Sequence, residues 1–94
     1  IALYKWFRAN PDAVVKLGRS VDCSIQMSWD IQGDIAPIHA EIFMSGSRVY
    51  LRALEYGVIV GQWRKLKPDE VVRLYQGSRF TIGKTTFTYT ETDV

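Results

Sequence analysis

The sequence has 94 residues, of which 47% are hydrophobic and 13% aromatic, and its formal net charge is +2. This length and composition predict one folded domain over residues 1–94 and exclude a disordered chain. The balanced charge argues against a nucleic-acid binder with a broad basic face, and no run of about 18 apolar residues is present to span a membrane. The chain starts at Ile1 without a Met or a signal-peptide pattern. We therefore expect a piece of a longer protein or a processed product.

Short strands separated by turns dominate the sequence, and helix signals are almost absent. Alternating apolar and polar residues predict strands at residues 48–52, 79–82 and 85–90. Further strands are predicted at residues 2–7, 13–17, 24–27, 40–44, 57–60 and 71–74. The sequence Ser45-Gly46-Ser47 predicts a hairpin turn, and residues 28–38 predict a long loop. Regularly spaced short strands predict an all-β fold, either a two-sheet sandwich or a small barrel.

The side chains do not assemble into a catalytic or metal site. Cys23 is the single cysteine, so we interpret it as a small buried group in a protein of a reducing compartment. Without a nucleophile–base pair, paired carboxylates or a Cys/His cluster, the sequence predicts no enzyme, no catalytic residue, no cofactor and no metal. Gly83-Lys84-Thr85 is not a Walker-type loop, because the required earlier glycine is Ser78 and a strand pattern follows.

A glycine and an arginine, Gly18 and Arg19, follow the second predicted strand. Glycine permits a sharp turn, and the guanidinium offers paired donors that suit a phosphate or a carboxylate. Taken alone, this dipeptide is most often a solvated turn. The segments downstream give it weight: Ser24-Ile25-Gln26-Met27, Ala36-Pro37-Ile38-His39-Ala40-Glu41-Ile42, Glu55-Tyr56-Gly57-Val58-Ile59-Val60 and Gly77-Ser78-Arg79-Phe80-Thr81-Ile82-Gly83.

In this order and spacing, the segments resemble the forkhead-associated (FHA) domain family. That family shows Gly-Arg, then Ser-x-x-His-Ala-x-Ile, then Asn-Gly-Thr-x-Val, and a glycine-containing signature before the last strand. The resemblance covers residues 2–91 and implies an FHA-like (SMAD/FHA) β-sandwich of about eleven mostly antiparallel strands in two sheets. It also implies that loops at one end recognise a phosphothreonine peptide, with Gly18, His39 and Gly57 supporting that site.

The positions that hold the phosphopeptide in the family are mostly different here. Arg19 aligns with the phosphate-binding arginine, but Ala36 replaces the phosphate-binding serine and Pro37 lacks a backbone N–H. Tyr56 replaces the asparagine that holds the peptide backbone, and Glu55 replaces a neighbouring donor. A carboxylate at about 4–6 Å from a phosphate costs roughly 3–4 kcal/mol per unit of charge. The loss of the serine hydroxyl removes a charge-assisted hydrogen bond to the phosphate, which is worth roughly 1.5–3 kcal/mol of binding free energy.

These losses are large beside the roughly 8 kcal/mol of a micromolar complex, so we expect Arg19 to pair with Glu55 inside the protein. The sequence then predicts a non-catalytic FHA-type interaction or scaffolding module with a degraded phosphothreonine site. The alternative is a functional phosphothreonine-peptide reader that uses Arg19 and Ser20 with basic residues such as Arg64 or Lys65.

The expected partner is another protein or another domain of the parent chain, with a phosphothreonine peptide under the alternative. We expect no nucleic acid and no direct membrane contact. The expected location is the cytoplasm, either as a free domain or as the cytoplasmic part of a larger or membrane-attached protein. Trp29 and Trp63 lie beside predicted loops, where the alternatives are core packing and a contact surface. Arg64, Lys65 and Lys67 form a basic patch that we interpret as a solvated turn.

Overall fold

The computed structural model describes residues 3–91 and contains one helix and nine strands. The nine strands form two packed sheets. Helix α1 spans Tyr4–Ala9. The strands are β1 (Val14–Gly18), β2 (Ile25–Gln26), β3 (Ala40–Ser45), β4 (Arg48–Ala53), β5 (Val58–Val60), β6 (Arg64–Leu66), β7 (Val71–Leu74), β8 (Arg79–Ile82) and β9 (Thr85–Thr88). The predicted two-sheet sandwich is confirmed, with nine strands in this range instead of about eleven.

The chain crosses between the two sheets, so that β7 lies beside β4 and β8 lies beside β5. One sheet has the order β2-β1-β3-β4-β7 and the other the order β6-β5-β8-β9. Strands β1 and β2 are parallel, and every other pair is antiparallel. This agrees with the expectation of mostly antiparallel strands.

The core lies between the sheets and follows from the alternation in the strands. In β4, Val49, Leu51 and Ala53 are fully buried, while the residues between them face outward. Burying a Val or Leu side chain in this way contributes roughly 1.5–3 kcal/mol, and the smaller Ala53 contributes less. The largest fully buried side chains are Tyr89, Phe7, Phe80, Leu17, Met27, Ile42, Leu51, Leu66, Leu74 and Ile82.

The predicted strand at residues 2–7 is wrong where the structure describes it, because this segment forms helix α1; Ala2 lies outside the described residues. Leu3 and Phe7 are four residues apart, so a helix turns both toward the core, where Phe7 is fully buried. The Asn10 side-chain amide donates to the carbonyl of Trp6 at 3.0 Å. Pro11 disfavours helical geometry at the residue before it, which ends the helix.

The basic side chains of Arg64, Lys65 and Lys67 are solvated as interpreted, but their assignment to a turn is wrong. Arg64, Lys65 and Leu66 form strand β6, which pairs with β5 and buries Leu66. The sequence pattern did not predict this strand, because two of its three residues are cations and only the leucine faces inward. The other predicted strands and the long loop over residues 28–38 are confirmed, with strand ends shifted by one or two residues. Within residues 3–91, no helix is long and apolar enough to cross a membrane.

Candidate functional site

Four connecting segments meet at one end of the sandwich, which we call the loop end: residues 19–24, 27–39, 54–57 and 83–84. Backbone hydrogen bonds join them in pairs. The Arg19 N–H donates to the Ala36 carbonyl at 3.0 Å, and the Gly83 N–H donates to the Gly57 carbonyl at 3.3 Å. The predicted site residues therefore lie on neighbouring loops, as the spacing of the motifs requires.

Gly18 allows the first two of these segments to approach closely. It is buried, and a Cβ at this position would overlap the carbonyl oxygen of Pro37 and lie 2.9 Å from the Cα of Ile38. Beside this contact, the Ser20 N–H donates to the same Pro37 carbonyl at 3.0 Å. Only glycine fits without moving one of the two backbones.

His39 joins two of the loops through its imidazole and is only 3% exposed. Its Nδ1 accepts the Ala36 N–H at 3.0 Å, so the ring proton lies on Nε2, which donates to the Tyr56 carbonyl at 2.8 Å. Gly57 has a φ of 93°, and a Cβ there would lie 3.5 Å from the His39 Nε2. The positive φ therefore accounts for glycine at this position, since a Cβ would make only an ordinary van der Waals contact with the ring.

The predicted pair between Arg19 and Glu55 is wrong. Both side chains belong to exposed residues on different loops. Within residues 3–91, the carboxylate–cation pairs are Arg52 with Glu41 at 2.9 Å and Arg64 with Glu70 at 3.0 Å. An exposed ion pair gains only about 0–1 kcal/mol and must order two long side chains. This small gain explains why Arg19 and Glu55 stay in solvent and do not pair.

Few groups at the loop end remain available to bind an anion. The backbone N–H groups of Arg19, Ser20 and Ala36 already donate within the protein, and Pro37 has none. The Ser20 Oγ accepts the Asp22 N–H at 3.1 Å, which leaves its hydroxyl proton unused. Of the predicted ligand-binding groups, the Arg19 guanidinium and the Ser20 hydroxyl remain able to donate a hydrogen bond to an anion.

Glu55 and Tyr56 form the exposed tip of the third segment. Tyr56 is 73% exposed, and its backbone carbonyl is occupied by His39. Neither side chain makes a hydrogen bond within residues 3–91. Glu55 thus places at the loop end a carboxylate without a partner in this range, beside the phenol of Tyr56, where the resemblance to the family predicts an asparagine.

A polar cluster surrounds Asp30, which is 7% exposed, and it was not predicted from the sequence. Its Oδ2 accepts the Thr85 hydroxyl at 2.6 Å and the Lys84 N–H at 2.9 Å. The Trp29 Nε1 donates to the same Thr85 oxygen at 3.0 Å. The Thr85 hydroxyl, followed by the backbone N–H groups of Lys84 and Gly33 and the Lys84 charge, lowers the pKa of Asp30 against the opposing effect of burial.

This cluster holds the long loop against the β8–β9 turn, since the two residues that Asp30 contacts lie 54 and 55 positions further along the chain. The only sequence signal for this cluster was an acidic residue between two apolar residues. That pattern does not predict which residues Asp30 contacts. Trp29 is 57% exposed, and Trp63 is 85% exposed. Both tryptophans therefore take the surface position, not the core position, of the two predicted alternatives.

Cys23 is buried, as predicted, and its thiol donates to the Pro37 carbonyl at 3.2 Å. It lies in the segment that carries Arg19, so it contributes to holding this segment on Pro37. In the described part of the chain, no group of three or more His, Cys, Asp or Glu side chains could hold a metal ion.

Comparison with known proteins decides the family. The FHA domain family model matches residues 15–83, which is most of the chain. This chain belongs to the FHA domain family. FHA domains are protein-interaction modules that recognise phosphopeptides and are generally not enzymes. No curated protein sequence matched the chain significantly.

Solved FHA domains share this fold. The chain is similar to the FHA domain of a hypothetical protein from Arabidopsis thaliana, with a TM-score of 0.71, 20% identity, and 89% of this chain and 72% of that chain covered. It is similar to the FHA domain of CT664 from Chlamydia trachomatis, with a TM-score of 0.65, 26% identity, and 81% and 74% covered. It is also similar to Mycobacterium tuberculosis EmbR in complex with a low-affinity phosphopeptide, with a TM-score of 0.67, 26% identity, and 81% and 19% covered.

Proposed function

We propose that this FHA domain is a non-catalytic protein-interaction or scaffolding module whose phosphothreonine site no longer functions. The single observation that carries this proposal is the donor set at the loop end. Arg19 keeps its exposed guanidinium, but Ala36 offers no hydroxyl, and its N–H is already bound to His39 at 3.0 Å. A phosphate with a charge of −1.5 to −2, roughly, needs several donors at once.

The charge at the loop end also opposes a phosphate. The Glu55 carboxylate has no cation to neutralise it within residues 3–91 and lies on the segment that faces the ligand in the family. A unit charge at about 4 Å and an effective dielectric constant of 20 costs on the order of 4 kcal/mol before screening. This unpaired carboxylate replaces a donor with a repelling group, so it supports the loss of function more strongly than the predicted ion pair would have done.

One observation favours the alternative of a functional phosphothreonine reader. Because Arg19 is not paired with Glu55, its guanidinium is available to a ligand, and the Ser20 hydroxyl proton is unused. EmbR, a structural neighbour, was solved with a low-affinity phosphopeptide. A weak reader would therefore depend on Arg19 and gain little from the rest of the loop end.

The partner under our leading proposal is another protein or another domain of the parent chain, contacted through a surface other than the loop end. The retained scaffold of Gly18, His39 and Gly57 keeps the loops in place without requiring them to hold a phosphate. The buried free thiol of Cys23 is suited to a reducing compartment such as the cytoplasm.

A phosphothreonine peptide library separates the two functions. Peptides with randomised flanking residues are titrated against the wild type, the Arg19→Ala variant and the control Arg79→Ala by fluorescence anisotropy. We expect no saturation at micromolar concentration for any of the three proteins. Micromolar binding that is lost in Arg19→Ala and kept in Arg79→Ala would establish the alternative instead.

A further inference from the structure

The outward side of the five-stranded sheet carries an unusual set of side chains for a solvated surface. Its strand registers align two rows of outward residues next to each other. We call these two rows and Arg48 the outer face; the rows are Val14, Phe43, Tyr50 and Arg73, and Lys16, Glu41, Arg52 and Val71. Every second residue in these strands points instead into the core, which fixes the direction of the rows.

Aromatic rings form the centre of the outer face. Phe43 and Tyr50 stack with their ring centroids 5.7 Å apart and their planes at 23°. The Arg52 guanidinium lies 5.0 Å from the Phe43 ring and pairs with Glu41 at 2.9 Å. These contacts hold the rings in place, so a partner would lose little additional side-chain entropy on binding them.

The charges around the rings are mostly positive. Lys16, Arg48, Arg52 and Arg73 face outward, and Glu41 is the only acid among the residues of the outer face. Since Arg52 neutralises Glu41, three cations remain without an acidic partner on this surface. Half-buried surface aromatics together with arginines are the composition typical of protein-binding hot spots.

Arg73 gives a second observation that points to an anionic partner. Its guanidinium lies 4.4 Å from the ring of Tyr75, a residue that is 56% exposed. Its Nε is shielded from solvent and has no hydrogen-bond partner in the structure. A shielded donor without an acceptor is unfavourable, and a carboxylate from a binding partner would satisfy it once a change of the Arg73 rotamer exposes the guanidinium edge.

We propose that the outer face is the docking surface of this domain and that its occupant is an acidic segment of a partner protein with an aromatic or aliphatic anchor. The carboxylates of the segment bind Arg73, Lys16 and Arg48, and its anchor packs on the Phe43 and Tyr50 rings. Charge argues against a second copy, since symmetric pairing of the face would oppose its own cations. This inference rests on the proposed function, because it names the surface that replaces the loop end.

The test uses an array of unphosphorylated peptides that vary in acidic and aromatic content, probed with the wild-type chain. Enriched peptides are then titrated against Arg73→Glu, the milder Arg73→Gln, and the matched control Arg79→Glu on the outside of the other sheet. Thermal unfolding of each variant checks that it is folded. We expect acidic peptides with an aromatic residue to be enriched, and their affinity to fall by about tenfold or more in Arg73→Glu, less in Arg73→Gln, and not at all in Arg79→Glu.

Amide shifts measured by NMR locate the bound peptide. We expect shifts at residues 14–16 of β1 and on β3, β4 and β7, and none at Arg19 or Tyr56. Enrichment of neutral or basic peptides, shifts at the loop end, equal loss in both charge-reversed variants, tighter binding to a DNA duplex than to the peptides, or self-association through these strands would each overturn the proposal. Phosphothreonine peptides probed on a second array that bind through Arg19 would instead overturn the proposed function, so the two failures are distinguishable.

Discussion

The Nε2 of His39 lies 2.8 Å from the carbonyl oxygen of Tyr56 and donates its proton to that oxygen. Together with the bond from the Ala36 N–H to Nδ1, it makes the buried imidazole a link between two loops. The loop end is thus held by groups internal to the protein and needs no ligand for its shape. This explains how the FHA scaffold persists while Ala36, Glu55 and Tyr56 depart from the family's pattern.

Replacing His39 with alanine should destabilise the fold. The change leaves the Ala36 N–H and the Tyr56 carbonyl without their partner, and we expect the free energy of unfolding to fall by about 2–4 kcal/mol. Urea unfolding measures this value, with the exposed hairpin residue Ser45 changed to alanine as the control. A loss below about 0.5 kcal/mol for His39→Ala, within the range of surface substitutions, would contradict the linking role.

Gly18 and Gly46 offer a matched comparison of two reasons for glycine. In Gly18→Ala, the new Cβ meets the Pro37 carbonyl, and we expect a loss of about 3 kcal/mol or more. In Gly46→Ala, the surrounding space is empty and only the positive φ of 64° is strained, which costs about 1–2 kcal/mol. Equal losses in urea unfolding would show that the approach of Gly18 to Pro37 is not tight.

Much of the fold was predictable because alternation in the strands is a local property. The pattern in Arg48–Ala53 directly gives the buried face of β4. Helix α1 was missed because Tyr4, Lys5 and Trp6 alternate as in a strand, and six residues are too few for a helical period to stand out. Strand β6 was missed because Arg64 and Lys65 hide the single buried leucine.

The candidate site was predictable in its position and less so in its contacts. The motif order placed Gly18, Arg19 and His39 on neighbouring loops, because a known fold supplies the distances. The pairing of Arg19 with Glu55 failed because a motif gives the identity of two side chains but not their exposure. Asp30 and its Thr85 partner meet only through the tertiary fold, so no local pattern contains them.

The Asp30 cluster predicts a pH dependence of stability. The hydrogen bond from Thr85, with the other contacts, lowers the folded-state pKa of Asp30 below its ordinary value of 3.8. The stabilisation from the ionised carboxylate is therefore fully present above that value and is lost as the pH falls through the lower folded-state pKa. Unfolding measured from neutral to acidic pH should show wild type more stable than Asp30→Asn at neutral pH, with the difference shrinking in acid.

Two threonine variants test the cause of this effect. Thr85→Val removes the strongest contact to Asp30 and should weaken the pH dependence, whereas Thr86→Val removes only a bond between two threonine hydroxyls. Because the Lys67 N–H also lowers the pKa of Glu70, comparison between variants is needed to isolate Asp30. Identical profiles for Thr85→Val and Thr86→Val would refute the assignment.

Restoring the family's residues should restore phosphothreonine binding. In the combined variant Ala36→Ser, Glu55→Ser and Tyr56→Asn, a hydroxyl returns, the repelling carboxylate is removed and the amide that holds the peptide is supplied. We expect the affinity for phosphothreonine peptides to rise by more than about a hundredfold over wild type, measured by calorimetry. Adding Arg19→Ala to this variant should abolish the gain; a gain that persists would place the phosphate elsewhere.

The loss of the phosphothreonine site in the wild-type chain is tested most directly by an NMR titration. A phosphothreonine peptide pool is added to the labelled domain, and the Arg19 side-chain Nε–H and the amides of Gly18 and Ser20 are followed. We predict that these signals do not move at peptide concentrations up to about 1 mM. Any binding would then contribute less than roughly 4 kcal/mol. Saturable shifts at micromolar concentration that disappear in Arg19→Ala would contradict the proposed function.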